Sequence, residues 1–457
     1  MGLRNQNMEK ETQNEIRQIG TKREAPSLDS LAYPIWGLFA LIVFSGVFLA
    51  VYYIPTFNQA FSSVERLDGE VPFGWMIRRL HGAGGSLLLM LFLLHLLKTF
   101  YTGAYKARPR AAWALEVLLV FSTLWINFTG SFLPLSQSAF WGTSTILSNL
   151  SSLPWIGGFM VEFLRGGREL GGTALIRFYS MHFGFSIMIA SLLFLHGQMG
   201  AKERMTGDTV SGDREFLPAL VVTVLLLTIL TFAPAWFMDS LREAANPTLN
   251  PERISFPWYL LFVPETLPLF SGAYAFWSLT LLVLVLLLLF FLPTIDRNPE
   301  RGLLLRPFAM ALCVAFVVAG IYFSLIGSAN AHYGEKVIVP DRTLSAVELR
   351  GARVFAEKNC AYCHQVAGRL GRRQGPDLTG VTRRGRSKDW IQRFIHNARL
   401  YQSGTAMPRY EIPLEDLEAL SAYLLSLDRG KETLKALDRS RLLEKCFYNE
   451  FQMEGKR

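Results

Sequence analysis

"HGAGGSLLLMLFLLH" spans residues 81–95 and "HFGFSIMIASLLFLH" spans residues 182–196. Each is an apolar run with histidine at both ends, and in each the histidines are 14 residues apart. Fourteen helical residues climb ~21 Å in ~3.9 turns, so both rings of a pair leave the same face. Two such helices running in the same direction would bring the four imidazoles together as two pairs, one towards each side of a bilayer. Facing imidazoles are axial ligands for haem iron. The spacing therefore predicts one haem b between His81 and His182 and another between His95 and His196. The competing reading is that intramembrane histidines only hydrogen-bond between helices, but two pairs of identical spacing favour ligation. Zinc is disfavoured, because the spacing is not i, i+4 and no carboxylate accompanies the pairs.

The surrounding chain supports a membrane setting. Of 457 residues, 51% are hydrophobic and 18% are charged, and apolar runs of about twenty residues recur. Seven spans are expected, over 34–54, 77–100, 112–133, 174–200, 216–237, 273–293 and 305–326. Two connections, 134–173 and 238–272, are too apolar for solvated loops and read as short helices at the membrane surface. The net charge of +9 belongs with loop charges that set orientation, not with nucleic-acid binding. Residues 1–33 and the loops 98–111, 201–215 and 294–306 carry fifteen Lys and Arg, about twice the number on the opposite loops. This places the N-terminus in the cytoplasm and, after seven crossings, the C-terminal part outside. Residues 1–32 show no signal peptide.

After residue 327 the composition becomes that of a small soluble helical domain, 345–428, with a linker over 328–344 and a charged helical or frayed tail over 429–457. This domain contains "CAYCH" (360–364). Two thiols three apart followed by histidine is the spacing of a covalent c-type haem site, with Cys360 and Cys363 on the vinyl groups and His364 on the iron. Such haem is attached outside the cytoplasm, in agreement with the charge bias. The sixth ligand is Met407, in "GTAMPRY", or the rival His396. His/Met ligation gives the higher potential. Cys313 reads as inert core and Cys446 as a lone tail thiol, so no disulfide framework is implied.

Four further stretches carry a family resemblance: "GVFLAVYYIPTFNQAFSSV" (46–64), "GWMIRRLH" (74–81), "FTGSFLPLSQSAFWGTSTILSNL" (128–150) and "LIRFYSMHF" (175–183). With the histidine pairs, they resemble the cytochrome b subunit of quinol:cytochrome c oxidoreductases, including the plastid bf type. The domain at 345–428 resembles small single-haem, class I cytochromes c, in which a loop like "GPDLTGV" (375–381) braces the proximal histidine. The implied fold is all-α. It comprises a four-helix dihaem core (34–215), a three-helix region (216–327) and the cytochrome c domain.

The resemblance also implies site residues. Arg78 and Arg177 would contact haem propionates, although both also suit the simpler role of positive anchors at helix ends. Gly46 and Gly130 match the glycines beside the outer haem, whereas the inner positions are Ala32 and Glu116. Glu116 is a costly charge for a membrane helix and calls for a polar partner or an interfacial position. Trp258 and Tyr259 match the quinol-site motif, but Pro257 stands where the family has glutamate. Glu265 is then the expected proton acceptor, with a solvated loop carboxylate as the plain alternative. Lys202, Arg204 and Asp213 lie in the region of the cytoplasmic quinone site.

The function expected is oxidation of quinol at the periplasmic side of a bacterial inner membrane. One electron would cross through two haem b groups, and one would reach haem c through a separate Rieske iron–sulfur protein, since no spare Cys/His set remains. Further expected partners are membrane quinone, a cytochrome c acceptor and a second copy in a homodimer. The alternatives are a non-bifurcating dihaem conduit to haem c, or a transporter with a sensory cytochrome c domain.

Overall fold

The computed structural model describes residues 32–443 except 168, 206–212, 233–240, 242, 250–253, 255, 262–276, 302–304, 330–335, 369–374, 382–383, 403–404, 406, 428–433 and 441. Glu265 and Cys446 lie outside the described residues, as do the side chains of Ala32, Lys202, Arg204 and Asp213.

The first helices are α1 (Ala32–Tyr52), α2 (Ala60–Glu70), α3 (Gly74–Tyr101) and α4 (Arg110–Phe132). Next come α5 (Gln137–Leu150), α6 (Gly157–Arg165), α7 (Gly172–Met205) and α8 (Asp213–Phe232). Then follow α9 (Trp277–Phe290), the one-turn α10 (Leu292–Ile295) and α11 (Pro307–Ala329). The C-terminal part adds β1 (Lys336–Pro340), α12 (Ala346–Glu357), α13 (Lys388–His396), α14 (Leu414–Ser426) and β2 (Leu434–Asp438).

Among the described residues, five helices are long and apolar enough to cross a membrane: Pro34–Tyr52, Gly74–Tyr101, Arg110–Phe132, Gly172–Met199 and Ala309–Ile326. The other two expected spans, 216–237 and 273–293, correspond to the shorter apolar helices Leu217–Phe232 and Trp277–Phe290. Their flanks at 233–240 and 262–276 are outside the described residues. The connection at 134–173 does contain two short helices, α5 and α6, as its apolar composition requires. Ser136 caps α5, its hydroxyl accepting from the Ala139 amide at 3.1 Å.

In the bundle α3 packs on α1, α4 and α8, and α4 packs on α7. One end is fastened by polar contacts between the connections at 98–111 and 294–306. Lys106 Nζ lies 2.9 Å from Asp296, and Arg306 donates to the Phe100 and Tyr101 carbonyls. Those two loops therefore share an end, as the charge count requires.

Among its described residues the C-terminal domain has helices and one ladder. Strands β1 and β2 pair antiparallel, with Lys336 opposite Asp438 and Pro340 opposite Leu434. The stretch read as a linker and the stretch read as a helical or frayed tail thus each supply a strand. The reason is apolar demand: Val337, Ile338 and Val339 are fully buried against α12 and α14 residues such as Phe355 and Tyr423. The Tyr423 hydroxyl donates to the Ile338 carbonyl.

This domain sits on the opposite end of the bundle from the Lys106–Asp296 contact. Tyr362, from the CAYCH stretch, is buried in the same apolar cluster as Ile254, Phe256 and Tyr259, and its hydroxyl accepts from the Ile254 amide at 3.1 Å. Arg399 meets Glu169 at 3.2 Å alongside.

Candidate functional site

Helices α3 and α7 bring the four histidines together in the expected register. The His81 and His182 ring centroids are 6.1 Å apart, and those of His95 and His196 are 5.6 Å apart. Pairing 81 with 182 and 95 with 196 requires the two helices to run in the same direction.

The outer pair is firmly oriented. His81 Nδ1 lies 3.0 Å from the Ile42 carbonyl, and His182 Nδ1 lies 3.0 Å from the Ile126 carbonyl. A carbonyl can only accept, so both Nδ1 atoms are donors and both Nε2 atoms keep a free lone pair. Gly46 and Gly130 make this packing possible. A Cβ on Gly46 would come 2.9 Å from His81 Cε1, and one on Gly130 would come 2.7 Å from His182 Cε1. The donor set and its glycine cradle fit a haem held through two Nε2 atoms.

The inner pair is built differently. His95 Nδ1 and Nε2 and His196 Nδ1 are buried without hydrogen-bond partners. Glu116, 3% exposed, places Oε1 3.4 Å from His95 Nε2 and 3.6 Å from Arg108 Nη1. This corrects the expectation that no carboxylate accompanies the histidines: the nitrogen and oxygen donors of His95, Glu116 and His196 all lie within 4.8 Å of one another. Sequence spacing could not show it, because the carboxylate arrives from a third helix, α4. Glu116 thus has charged neighbours in ion-pair range, although neither of its oxygens makes a hydrogen bond among the described residues. The buried imidazole nitrogens make no hydrogen bond among the described residues, which suits donors to a bound iron here too.

Against the outer pair lies an apolar cavity of about 340 Å³. It is lined from the bundle by His81, His182, Gly46 and Gly130, from α5 by Gly142 and Thr143, and from the last connection by Phe256, Pro257, Tyr259 and Leu260. Backbone stitching joins these segments: the Gln137 amide donates to the Glu243 carbonyl at 2.9 Å and the Ala245 amide to the Leu135 carbonyl at 3.0 Å. Gly142 leaves the room in which Ile254 and Phe256 sit, each 3.5 Å from where its Cβ would be. Burial raises the Tyr259 phenol above its ordinary value, which keeps it a hydrogen-bond donor. Trp258 packs against the same cluster from the side.

The two arginines part ways. Arg78 lines the cavity and grips Asp68 with two hydrogen bonds, Nε to Oδ1 at 2.7 Å and Nη2 to Oδ2 at 2.5 Å. Arg177 turns to the Phe163 carbonyl and lies over the Phe163 ring, 5.5 Å from its centroid. Asp68 carried no sequence signal as the partner of Arg78.

In the C-terminal domain Cys360 and Cys363 are free thiols at the two ends of one short turn. His364 Nδ1 donates to the Pro376 carbonyl at 2.9 Å, so the GPDLTGV loop does brace the histidine and leaves Nε2 available. A Cβ on Gly375 would fall 2.2 Å from His364 Cε1, so only glycine allows this approach. Burial lowers the His364 pKa and keeps the ring neutral. Met407 and Cys360 pack against one apolar cluster. His396 ends α13. The cysteines and the braced, neutral imidazole fit covalent haem attachment.

Comparisons with known proteins agree with this geometry. Residues 30–202 match the family described as Cytochrome b/b6/petB, residues 244–344 the family described as Cytochrome b(C-terminal)/b6/petD, and residues 349–428 Cytochrome c. The cytochrome b of Schizosaccharomyces japonicus is 31% identical over 327 residues, which is 67% of this chain and 83% of that protein. A solved structure titled "Hyperthermophilic respiratory Complex III" superposes with a TM-score of 0.57 at 24% identity, over 69% of this chain and 89% of its own. At that identity the likeness speaks for the fold.

Proposed function

The chain belongs to the cytochrome b family and is a cytochrome b–cytochrome c fusion subunit of the quinol:cytochrome c oxidoreductase type; we propose that it oxidises quinol in the outer cavity. Family membership implies haem b and haem c. His81 with His182 and His95 with His196 would hold two haem b groups, and Cys360, Cys363, His364 and Met407 would hold haem c. Bound there, the haems relay single electrons. The observation that carries the reading is the cavity itself, which brings Tyr259 and the two outer histidines to one apolar space.

The multi-pass chain is read as crossing a bacterial inner membrane seven times, α8 and α9 included, with the N-terminal segment cytoplasmic and the cytochrome c domain outside. A Rieske protein, a cytochrome c acceptor and a second copy of the chain complete the assembly. Arg78, already paired with Asp68, faces the cavity and suits an anionic propionate better than Arg177 does. Arg177 serves to hold the end of α6 through the Phe163 carbonyl.

Quinol must shed two protons, and Pro257 accepts none. Glu265 is the first carboxylate after Trp258 and Tyr259 and is the proposed acceptor. Glu265→Gln should slow quinol:cytochrome c turnover by about 10²–10⁴-fold while leaving the haem spectrum intact. Turnover near wild type would exclude Glu265 from the proton path.

A further inference from the structure

We propose that Glu116 and Arg108 form a fixed charge pair that sets the electron affinity of the inner haem site. The inference rests on the reading that His95 and His196 hold a haem b. It is carried by the contrast between the two histidine pairs. The outer imidazoles donate to the Ile42 and Ile126 carbonyls and pack against Gly46 and Gly130. Among the described residues neither His95 nitrogen nor His196 Nδ1 has such a carbonyl partner, and beside them stands a buried carboxylate.

The charges are ordered in space. Glu116 Oε1 lies 3.4 Å from His95 Nε2 and 3.6 Å from Arg108 Nη1, so the carboxylate stands between the ligand and the guanidinium, in ion-pair range of both without a hydrogen bond to either. The Glu116 side chain is 2% exposed and that of Arg108 17%, so solvent screens the carboxylate little. A negative charge beside an iron ligand favours the more positive, oxidised iron. Glu116 therefore lowers the reduction potential of the inner site, and Arg108 offsets part of that lowering. An inner site lowered in this way can still reduce a quinone of correspondingly low potential.

Both residues act through other groups, so they are positioning residues and the readout is a potential. The intact purified complex would be titrated potentiometrically at the b-haem absorbance band. In Glu116→Gln one of the two b midpoints should rise by about 59 mV or more, a tenfold change for one electron. The other b midpoint and that of haem c should stay in place. In Arg108→Gln the same midpoint should fall, and this second variant decides the matter if Glu116→Gln fails to assemble. Two haem b groups with unmoved midpoints, or shifts of the same sign in both variants, would overturn the inference. A wild-type protein with only one haem b per chain would instead remove the reading on which it rests.

Discussion

Met407 is the proposed sixth ligand in the cytochrome c domain. It is half-buried against the same cluster as Cys360. A thioether on the iron raises its potential relative to a second imidazole. Met407→Ala should therefore lower the haem c midpoint without releasing the haem, because Cys360 and Cys363 would still hold it covalently. A redox titration of variant against wild type checks this, and an unchanged midpoint would transfer the role to His396. At this scale the sequence was most informative where a single spacing carries chemistry, as in CAYCH and the two 14-residue histidine pairs. Spacing alone says nothing of a side chain that arrives from elsewhere. Glu116 entered only through the resemblance that puts it beside the inner haem, and nothing near Arg78 singles out Asp68.

Elements are held by a few identifiable contacts. Helix α12 opens with a capping box, Ser345 accepting from the Glu348 amide and Glu348 from the Ser345 amide. Arg342 adds two hydrogen bonds of 2.8 Å to the Glu348 carboxylate and, with the Ser345 groups, holds its pKa down to about 2 from an ordinary 4.5. A depressed carboxylate stabilises the fold fully above its unfolded value and loses that contribution as pH falls through the folded one. Glu348→Gln should therefore cost the domain ~1 kcal/mol at neutral pH. The cost should shrink below pH 4.5 and vanish near pH 2. Thermal melts of both proteins across this range would test it, and a gap that persisted to pH 2 would contradict it.

The dock between the two parts can be ranked in the same way. Glu169 is 58% exposed, so its pair with Arg399 is a surface ion pair worth ~0–1 kcal/mol. Tyr362 is fully buried, and removing its hydroxyl strands the Ile254 amide at a cost of ~1–3 kcal/mol. Tyr362→Phe should accelerate hydrogen exchange at the Ile254 amide far more than Glu169→Gln does. Equal effects would mean that the ion pair, not the buried hydroxyl, governs docking. The dock and the β1–β2 ladder were both hidden from sequence for one reason. Tyr362 lies 108 residues from Ile254, and β1 is separated from β2 by the whole cytochrome c helical core, so no local periodicity reports either contact.

For the whole molecule, hydropathy and charge bias were enough to outline a helical bundle with a soluble domain at one end. The structure adds that this domain rests on the outer cavity through the very turn that carries Cys360 and Cys363. Under the proposed function, quinol oxidised in this cavity divides its two electrons between the haem b pair and haem c. The direct measurement is stopped-flow spectroscopy of the anaerobic complex with its Rieske partner, all haems oxidised, mixed with one equivalent of quinol. The b bands should gain one electron per quinol, matched by one electron shared between haem c and the Rieske cluster. Both electrons on the high-potential side, one on the Rieske cluster and one on haem c, with the b bands unmoved, would contradict this division.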